Sequence, residues 1–389
     1  MALNKEKATK SFTYALYILT VGFAFAFTIS GVLVNNIIEY FGLTGAAQGY
    51  MNGVLGVGNT VAILLTIVIH IKLNKASMLV LSGLLMVSML LLTGFSNAFS
   101  MLLIVSLVLG LGLGWSDSYL NSCVVDANPV NSIKYQGTLH GLYGIGALTA
   151  PIIIAGLINR ISWQGVYLTL APIVLFTLVV YMVTLRVTKR YVNVSNEDPP
   201  KFTGKDIGLY LKDKNHLLLL AACLSYSIMQ FGLFTWLVRY MSVQHGTEEL
   251  GMAGITIMWI GTTVSRFVAP RLPVDSMKLQ AFGAMAAGVL LFVGIFANNP
   301  WIMCVMVGVG SLTSGHFIQT LINKSIVLYQ GNSLLPTSAI LLMTRVAATI
   351  VPPVLGWISV YSMQGSMAVP AAAVIVSGCC GFVFLRVNK

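Results

Sequence analysis

The chain has 389 residues, of which 57% are hydrophobic and only 8% charged, with a mean hydropathy of +0.86; soluble domains carry roughly a quarter charged residues. That composition excludes a water-soluble enzyme or binding module of two or three domains, because long apolar runs of about 20 residues each read as membrane spans. A net charge of +11 would by itself admit a nucleic-acid partner, so the placement of the charges has to decide.

The first ten residues, MALNKEKATK, are basic and lead into an apolar run longer than a signal-peptide core, with no small-residue cleavage site after it. That run is expected to be retained as the first span. Backbone groups cannot go unpaired in lipid, and runs this continuous are helices, not barrel strands. The first six spans are expected at Phe12–Ile38, Leu43–Ile71, Ala76–Gly94, Ser100–Cys123, Tyr135–Asn159 and Gln164–Arg186. A polar stretch, VTKRYVNVSNEDPPKFTGKDIGLYLKDKN, follows as a linker. Six more spans are expected at His216–Tyr240, Gly251–Ala269, Met277–Ala297, Pro300–Ile322, Ser333–Ser359 and Met367–Arg386. The predicted fold is all-α integral membrane: a six-helix bundle over 1–186, a cytoplasmic linker over 187–214 and a second six-helix bundle over 215–389.

An even number of spans puts both termini on one side. Every Lys and Arg except Arg160, Arg239 and Arg345 then falls on that side or in the linker. The positive-inside rule makes it the cytoplasm, so the expected location is a bacterial inner membrane with cytoplasmic termini. The charge is thus a topology signal and an attraction to anionic membrane lipid, and no nucleic-acid partner is expected. Cys123, Cys223, Cys304, Cys379 and Cys380 lie in or beside apolar stretches without ligand spacing, and read as reduced packing residues.

The halves repeat each other at an offset of roughly 200 residues. Gly110, Gly112 and Asn121 in the fourth span match Gly308, Gly310 and Gln319 in the tenth; Gly58-Asn59-Thr60-Val61 matches Gly261-Thr262-Thr263-Val264; Gln164-Gly165 matches Gln364-Gly365. Twelve spans, two parallel-repeated halves and a long linker resemble the major facilitator superfamily. Of its loop signature GxxxDRxGRR, Gly261 and Arg266 are present with Ser265 at the Asp position, while HIKLNK after the second span keeps only the basic Lys72 and Lys75. This resemblance implies a gating role for Arg266, Lys72 and Lys75. Within the superfamily, GLGLGWSDSYLN followed by LHGLYGIGALTAP is similar to the fucose/proton symporter family, whose acidic residue and following Asn match Asp117 and Asn121. The acid that this family tends to carry inside the first span is missing, and only Glu39 stands at that span's outer end.

Of the 11 acids, Asp117 alone falls within a span. A buried carboxylate costs at least about 3 kcal/mol on insertion scales, so it serves an ion path or pairs with a cation. Proton coupling is the functional reading for Asp117, with His140 and His316 at similar depth as companions; a structural pair or a hydrogen-bonded core histidine is the bland one. Arg345 sits mid-way along the eleventh span, and either Asp117 or an anionic group of the substrate must meet it. Asn35, Asn36, Asn121, Tyr143, Gln230, Trp236, Gln319 and Asn323, with Arg345, are candidates for binding a sugar-like solute, because amides bond hydroxyls while rings cover its apolar face; some of these amides are expected to bridge helices instead.

No cofactor and no metal site are expected, since no Cys or carboxylate keeps ligand spacing with either histidine. Phe202-Thr203-Gly204-Lys205-Asp206 lacks the remaining parts of a P-loop, and the sequon Asn193-Val194-Ser195 lies in the linker. The expected function is secondary transport of one small polar solute, a sugar or small organic anion, by a proton-coupled, monomeric carrier. Proton-driven export of amphipathic compounds is the alternative, favoured by 18 Met and 18 Phe. A membrane enzyme would need a catalytic set beyond one buried acid, and a sensor would differ by its lack of flux.

Overall fold

The computed structural model describes residues 4–42, 46–68, 73–158, 160–192, 203–329 and 333–388, and among them there is no strand. Lys72, Asn159, the linker residues 193–202 and the side chains of Asn35 and Asn52 lie outside the described residues. The helices are α1 (Lys5–Val32), α2 (Val34–Tyr40), α3 (Ala46–Val68), α4 (Lys75–Gly94), α5 (Phe99–Ala127), α6 (Ser132–Ile158) and α7 (Trp163–Thr188). They continue as α8 (Gly204–Lys212), α9 (Lys214–His245), α10 (Glu248–Val268), α11 (Ser276–Phe296), α12 (Pro300–Ser314), α13 (Phe317–Tyr329), α14 (Leu334–Tyr361) and α15 (Met363–Val387). With α12 and α13 taken as one, 11 of these stretches are long and apolar enough to cross a membrane. Helix α3 supplies the twelfth, because its 23 residues reach roughly 35 Å at the helical rise, enough for the hydrocarbon core.

The helix starts explain themselves from sequence. The side chains of Asn74, Ser162, Asp213, Asp275, Asn299 and Ser362 each accept a backbone N–H of the first turn. Two of these caps obey the repeat: Ser162 accepts from Gly165 N at 3.2 Å and Ser362 from Gly365 N at 2.9 Å. Inside the spans, the hydroxyls of Thr13, Thr66 and Thr93 return their protons to the carbonyl four residues earlier, which pairs them within their own helix.

Contacts divide the chain into Met1–Thr203 with Asn332–Ser338, and Gly204–Gly331 with Ala339–Lys389. Within the first unit α3 packs on α5, α4 on α5 and α7, and α1 on α6 and α7; within the second, α10 packs on α12, α11 on α12 and α15, and α9 on α15. Glycine makes the closest of these contacts. A Cβ at Gly110 would overlap the Leu55 carbonyl oxygen and lie 2.9 Å from Asn59 N, and one at Gly261 would lie 2.6 Å from the Gly308 oxygen. The glycine-rich stretches are therefore backbone contact seams, repeated in each unit.

Three features depart from a plain reading of the spans. The first span is interrupted at Leu33. The linker contains a helix, α8, pinned to the second unit by Tyr210, whose hydroxyl lies 2.8 Å from Ser325 Oγ and whose ring stacks on His216 at 4.1 Å. The tenth span is broken at Gly315 and His316. There the Gly315 carbonyl accepts the Arg266 Nε–H at 3.2 Å, and a Cβ on Gly315 would come within 2.5 Å of Thr262 Cα. Close approach to α10 and a guanidinium that takes the helix carbonyl together account for the break. Among the cysteines, Cys123, Cys223 and Cys304 are buried as packing residues, whereas Cys379 is exposed and Cys380 half-buried on α15.

Candidate functional site

In the first unit α5 and α6 are consecutive antiparallel helices, joined through Asn128 and a turn of 3-10 helix at Pro129–Asn131. Asp117 and Asn121 are four residues apart on α5, and Gln136, His140 and Tyr143 recur at four and three residues on α6, so each set lines one helix face. Asn121 Nδ2 donates to the Asp117 backbone oxygen at 2.9 Å and to its carboxylate Oδ1 at 3.2 Å. Gln136 Nε2 donates to Asn121 Oδ1 at 3.2 Å, and His140 Nε2 lies 2.8 Å from the same oxygen.

The polarity of this chain is fixed. Two acceptor oxygens of Asp117 face the amide nitrogen, so the amide oxygen faces α6 and can only accept; His140 Nε2 therefore carries a proton and donates it. Asn121 and Gln136 are buried, while Asp117 and His140 are half-buried. Tyr143 is half-buried, with its ring 5.4 Å from Phe23 and 6.4 Å from Phe27. The arrangement is an acid held by a donor amide, beside an imidazole and an aromatic face.

A second polar cluster lies in the same unit. Lys75, at the start of α4, is almost wholly buried and pairs with Asp126 near the end of α5 at 2.5 Å. Ser333, in the segment that groups with this unit, accepts from Lys75 Nζ at 3.1 Å, donates to Asp126 Oδ2 at 2.9 Å and lies 2.5 Å from Ser122 Oγ. By sequence both residues lie just outside the expected spans, Lys75 as a gating candidate. Here buried Lys75 and half-buried Asp126 form an ion pair that the Ser333 hydroxyl bonds on both sides.

In the second unit Arg266 is buried, holding the Gly315 oxygen, with its Cζ 6.0 Å from the Trp259 ring centre. His316, also buried, lies 3.1 Å by Nδ1 from Ser265 Oγ, so the serine at the signature's Asp position holds the histidine at the break. Gln319, the positional match of Asn121, is fully buried, and neither of its amide atoms meets a partner among the described residues. Trp236 donates Nε1–H to the Pro352 oxygen at 3.2 Å, under Arg239. Gln230 is buried; Asn323 and Arg345 are half-buried on α13 and α14. Asn36 lines a groove of about 320 Å³ beside α2, with Glu39, Tyr40, Trp163 and Gln164.

Of the candidate residues, the structure thus joins Asp117, Asn121 and His140 directly, and gathers Arg266 and His316 at the tenth-span break. Sequence reasoning missed Gln136, although its spacing to His140 and Tyr143 was a signal. Asp126, Ser122 and Ser333 gave none, because their partner Lys75 is distant in the chain.

Residues 16–331 match the sequence profile of the Major Facilitator Superfamily. The chain belongs to the major facilitator superfamily. It is 21% identical over 206 residues to the glucose/mannose transporter GlcP of Bacillus subtilis strain 168, a match covering 51% of this chain and 51% of that protein. The chain thus spans about half the length of that curated relative. Its fold is that of two solved structures of the fucose:proton symporter FucP: a variant of the E. coli protein (TM-score 0.71, 16% identity, 96% of this chain and 98% of that one) and the outward conformation (TM-score 0.74, 16% identity, 96% and 99%). As a superfamily member with this twelve-helix fold, the chain is not an enzyme.

Proposed function

We propose that this superfamily member is a secondary transporter that moves a hexose-class sugar across a bacterial cytoplasmic membrane by alternating access, coupled to protons. The observation that carries the proposal is the Asp117–Asn121–His140 chain: the one acid deep in a span is hydrogen-bonded to an amide at the position where the symporter family has its acid and Asn. The names of the relatives, a glucose/mannose transporter and a fucose:proton symporter, supply the substrate class and the coupling ion. In this reading Asp117 takes up and releases the proton. Asn121, Tyr143, Gln230, Trp236, Gln319, Asn323 and Arg345 are the candidates for hydroxyl-bonding and aromatic contacts to the sugar. Lys75 and Arg266 belong to the gates. The carrier works as a monomer with both termini in the cytoplasm.

If protonation of Asp117 releases one access state, Asp117→Asn imitates the protonated form, and the empty carrier no longer returns. A thermal-shift screen against sugars identifies the substrate, since a ligand of the folded state raises its stability. Proteoliposomes are then assayed for counterflow and for uptake driven by an imposed pH gradient. Asp117→Asn is expected to keep counterflow and lose accumulation. Accumulation by the variant would remove Asp117 from coupling and pass the role to His140 or His316.

A further inference from the structure

The first span breaks at Leu33, and the short helix α2 that follows sets Asn36, Glu39 and Tyr40 beside the place where α6 ends and α7 begins. With Trp163 and Gln164 from the first turn of α7 they line the groove of about 320 Å³, at the small end of ligand pockets. The groove is separate from the Asp117 chain. Ile158, which borders it at the end of α6, lies roughly 27 Å beyond His140 at the helical rise.

Three polar side chains of the groove have hydrogen-bonding capacity to spare. Glu39 is exposed and enters no ion pair or side-chain hydrogen bond among the described residues; the half-buried Asn36 and Gln164 enter no side-chain hydrogen bond there either. Tyr40 adds a fixed aromatic surface. Its ring stands edge to face with Trp163 at 5.6 Å and with Phe41 at 4.9 Å, and Phe41 packs in turn on Trp163 and Phe99. These neighbours hold the ring, yet 54% of Tyr40 is exposed. A tyrosine at a membrane interface commonly anchors among headgroups, but that role asks for no carboxylate, and Glu39 beside it repels headgroup phosphate.

The two units differ at this place. At the repeat offset Trp163-Gln164 corresponds to Met363-Gln364, so the amide recurs without the ring. The seventh span, α9, runs unbroken from Lys214 to His245, so no counterpart of α2 forms. The groove is therefore a feature of the first unit and not a product of the repeat.

Donors and acceptors decide the ligand class. A carboxylate accepts hydroxyl protons, each amide offers a donor and an acceptor, and a ring covers a C–H face. Glu39 repels an anion, and an organic amine would satisfy Glu39 but leave the amide donors unmatched. A pyranose matches all four groups. We infer that this groove is a second hexose-binding site, at the outer mouth of the first unit and distinct from the coupling site. The sugar class and the outward placement rest on the proposed function. Bordered by the exposed Glu39 and Tyr40, the site encloses less of its ligand than a transport site must, and it binds more weakly.

The test is a saturation-transfer NMR titration of D-glucose, D-mannose and L-fucose on the full chain in detergent, with choline as a cationic control. Counterflow at saturating sugar is measured in parallel, for wild type, Tyr40→Ala and Glu39→Gln. Both positions are exposed, and retained counterflow establishes folding. Wild type should show a tight and a weak hexose phase. Tyr40→Ala should abolish the weak phase and Glu39→Gln weaken it about tenfold, the loss of one charged hydrogen bond, with the tight phase kept in both. A single phase in wild type, or a weak phase that neither variant changes, overturns the inference and leaves the transport reading standing. A weak phase occupied by choline and not by hexoses overturns the sugar assignment, and loss of the tight phase in both variants overturns the separation of the two sites. Absence of both hexose binding and counterflow in wild type overturns the proposed function, and this inference with it.

Discussion

The buried pair of Lys75 and Asp126 permits a quantitative test. The Lys75 side chain is 3% exposed and that of Asp126 17%. Removing one partner of a buried ion pair typically costs about 3–5 kcal/mol, because the other charge is left uncompensated. Asp126→Asn strands the more deeply buried charge and should cost about 3 kcal/mol or more, and Lys75→Met about 2 kcal/mol. Replacing both, as Lys75→Met with Asp126→Leu, leaves no orphan and should return the unit to within about 1 kcal/mol of wild type. For a cooperative unit of some 200 residues, 3 kcal/mol corresponds to roughly 6–12 °C in midpoint. The assay is thermal unfolding of detergent-solubilised protein followed by fluorescence-detected size exclusion. The singles should drop and the double should recover. A double variant as unstable as the sum of its singles would show that the two charges do not compensate each other, and the burial argument would be refuted.

Ser333→Ala removes the hydroxyl that joins both charges to Ser122 and should lower the same midpoint by the equivalent of about 1 kcal/mol; no change would show that the serine is a bystander. Gly110→Val and Gly261→Val each push a branched side chain into a neighbouring backbone and should abolish the monodisperse size-exclusion peak, whereas Gly53→Ala, whose Cβ meets nothing within 4 Å, should keep it. A reporter fused after Lys389, or within 187–214, should read cytoplasmic, and a periplasmic signal at either place would overturn the proposed orientation. Arg345→Gln should raise the sugar concentration needed for half-maximal counterflow by about tenfold, the loss of one charged hydrogen bond; an unchanged value would take Arg345 out of the substrate site.

The fold was legible because lipid leaves the backbone one solution, and apolar runs separated by capping residues mark where it starts and stops. Asn74, Ser162 and Ser362 announce helices as plainly as the runs they precede. Breaks within spans were not legible. Nothing in the run from Pro300 to Tyr329 marks Gly315 as an interruption, because its cause, Arg266 on its carbonyl and α10 against its Cα, is tertiary. The same limit governs the site. Asp117, Asn121 and His140 announced themselves as polar residues where water is absent, but Gln136 sits near a span end, where polarity is ordinary, so its spacing to His140 was a weak signal that the bond to Asn121 makes specific. Lys75 was read as a basic loop residue with a gating role, and its burial was not legible, since charge alone does not report burial.

The two units resemble each other in their helix contacts and differ in their chemistry at matching positions. In the first, α5 runs unbroken past Asp117, and its Asn121 is held by partners on α6. In the second, the matching position is Gly315, the helix parts there, and the nearby charge is the guanidinium of Arg266. On the proposed coupling, a carboxylate that changes charge suits the first unit. A cation fixed at every physiological pH, clamped to a broken helix end, suits the gate proposed for Arg266 and takes no part in proton exchange. Gln319 argues the same way: the counterpart of Asn121 has neither an acid one turn before it nor an amide or histidine bonded to it among the described residues, so the second unit offers it no proton chemistry to support. The units thus share helix contacts and differ in chemistry at this pair of positions, which is where the proposed coupling is to be tested.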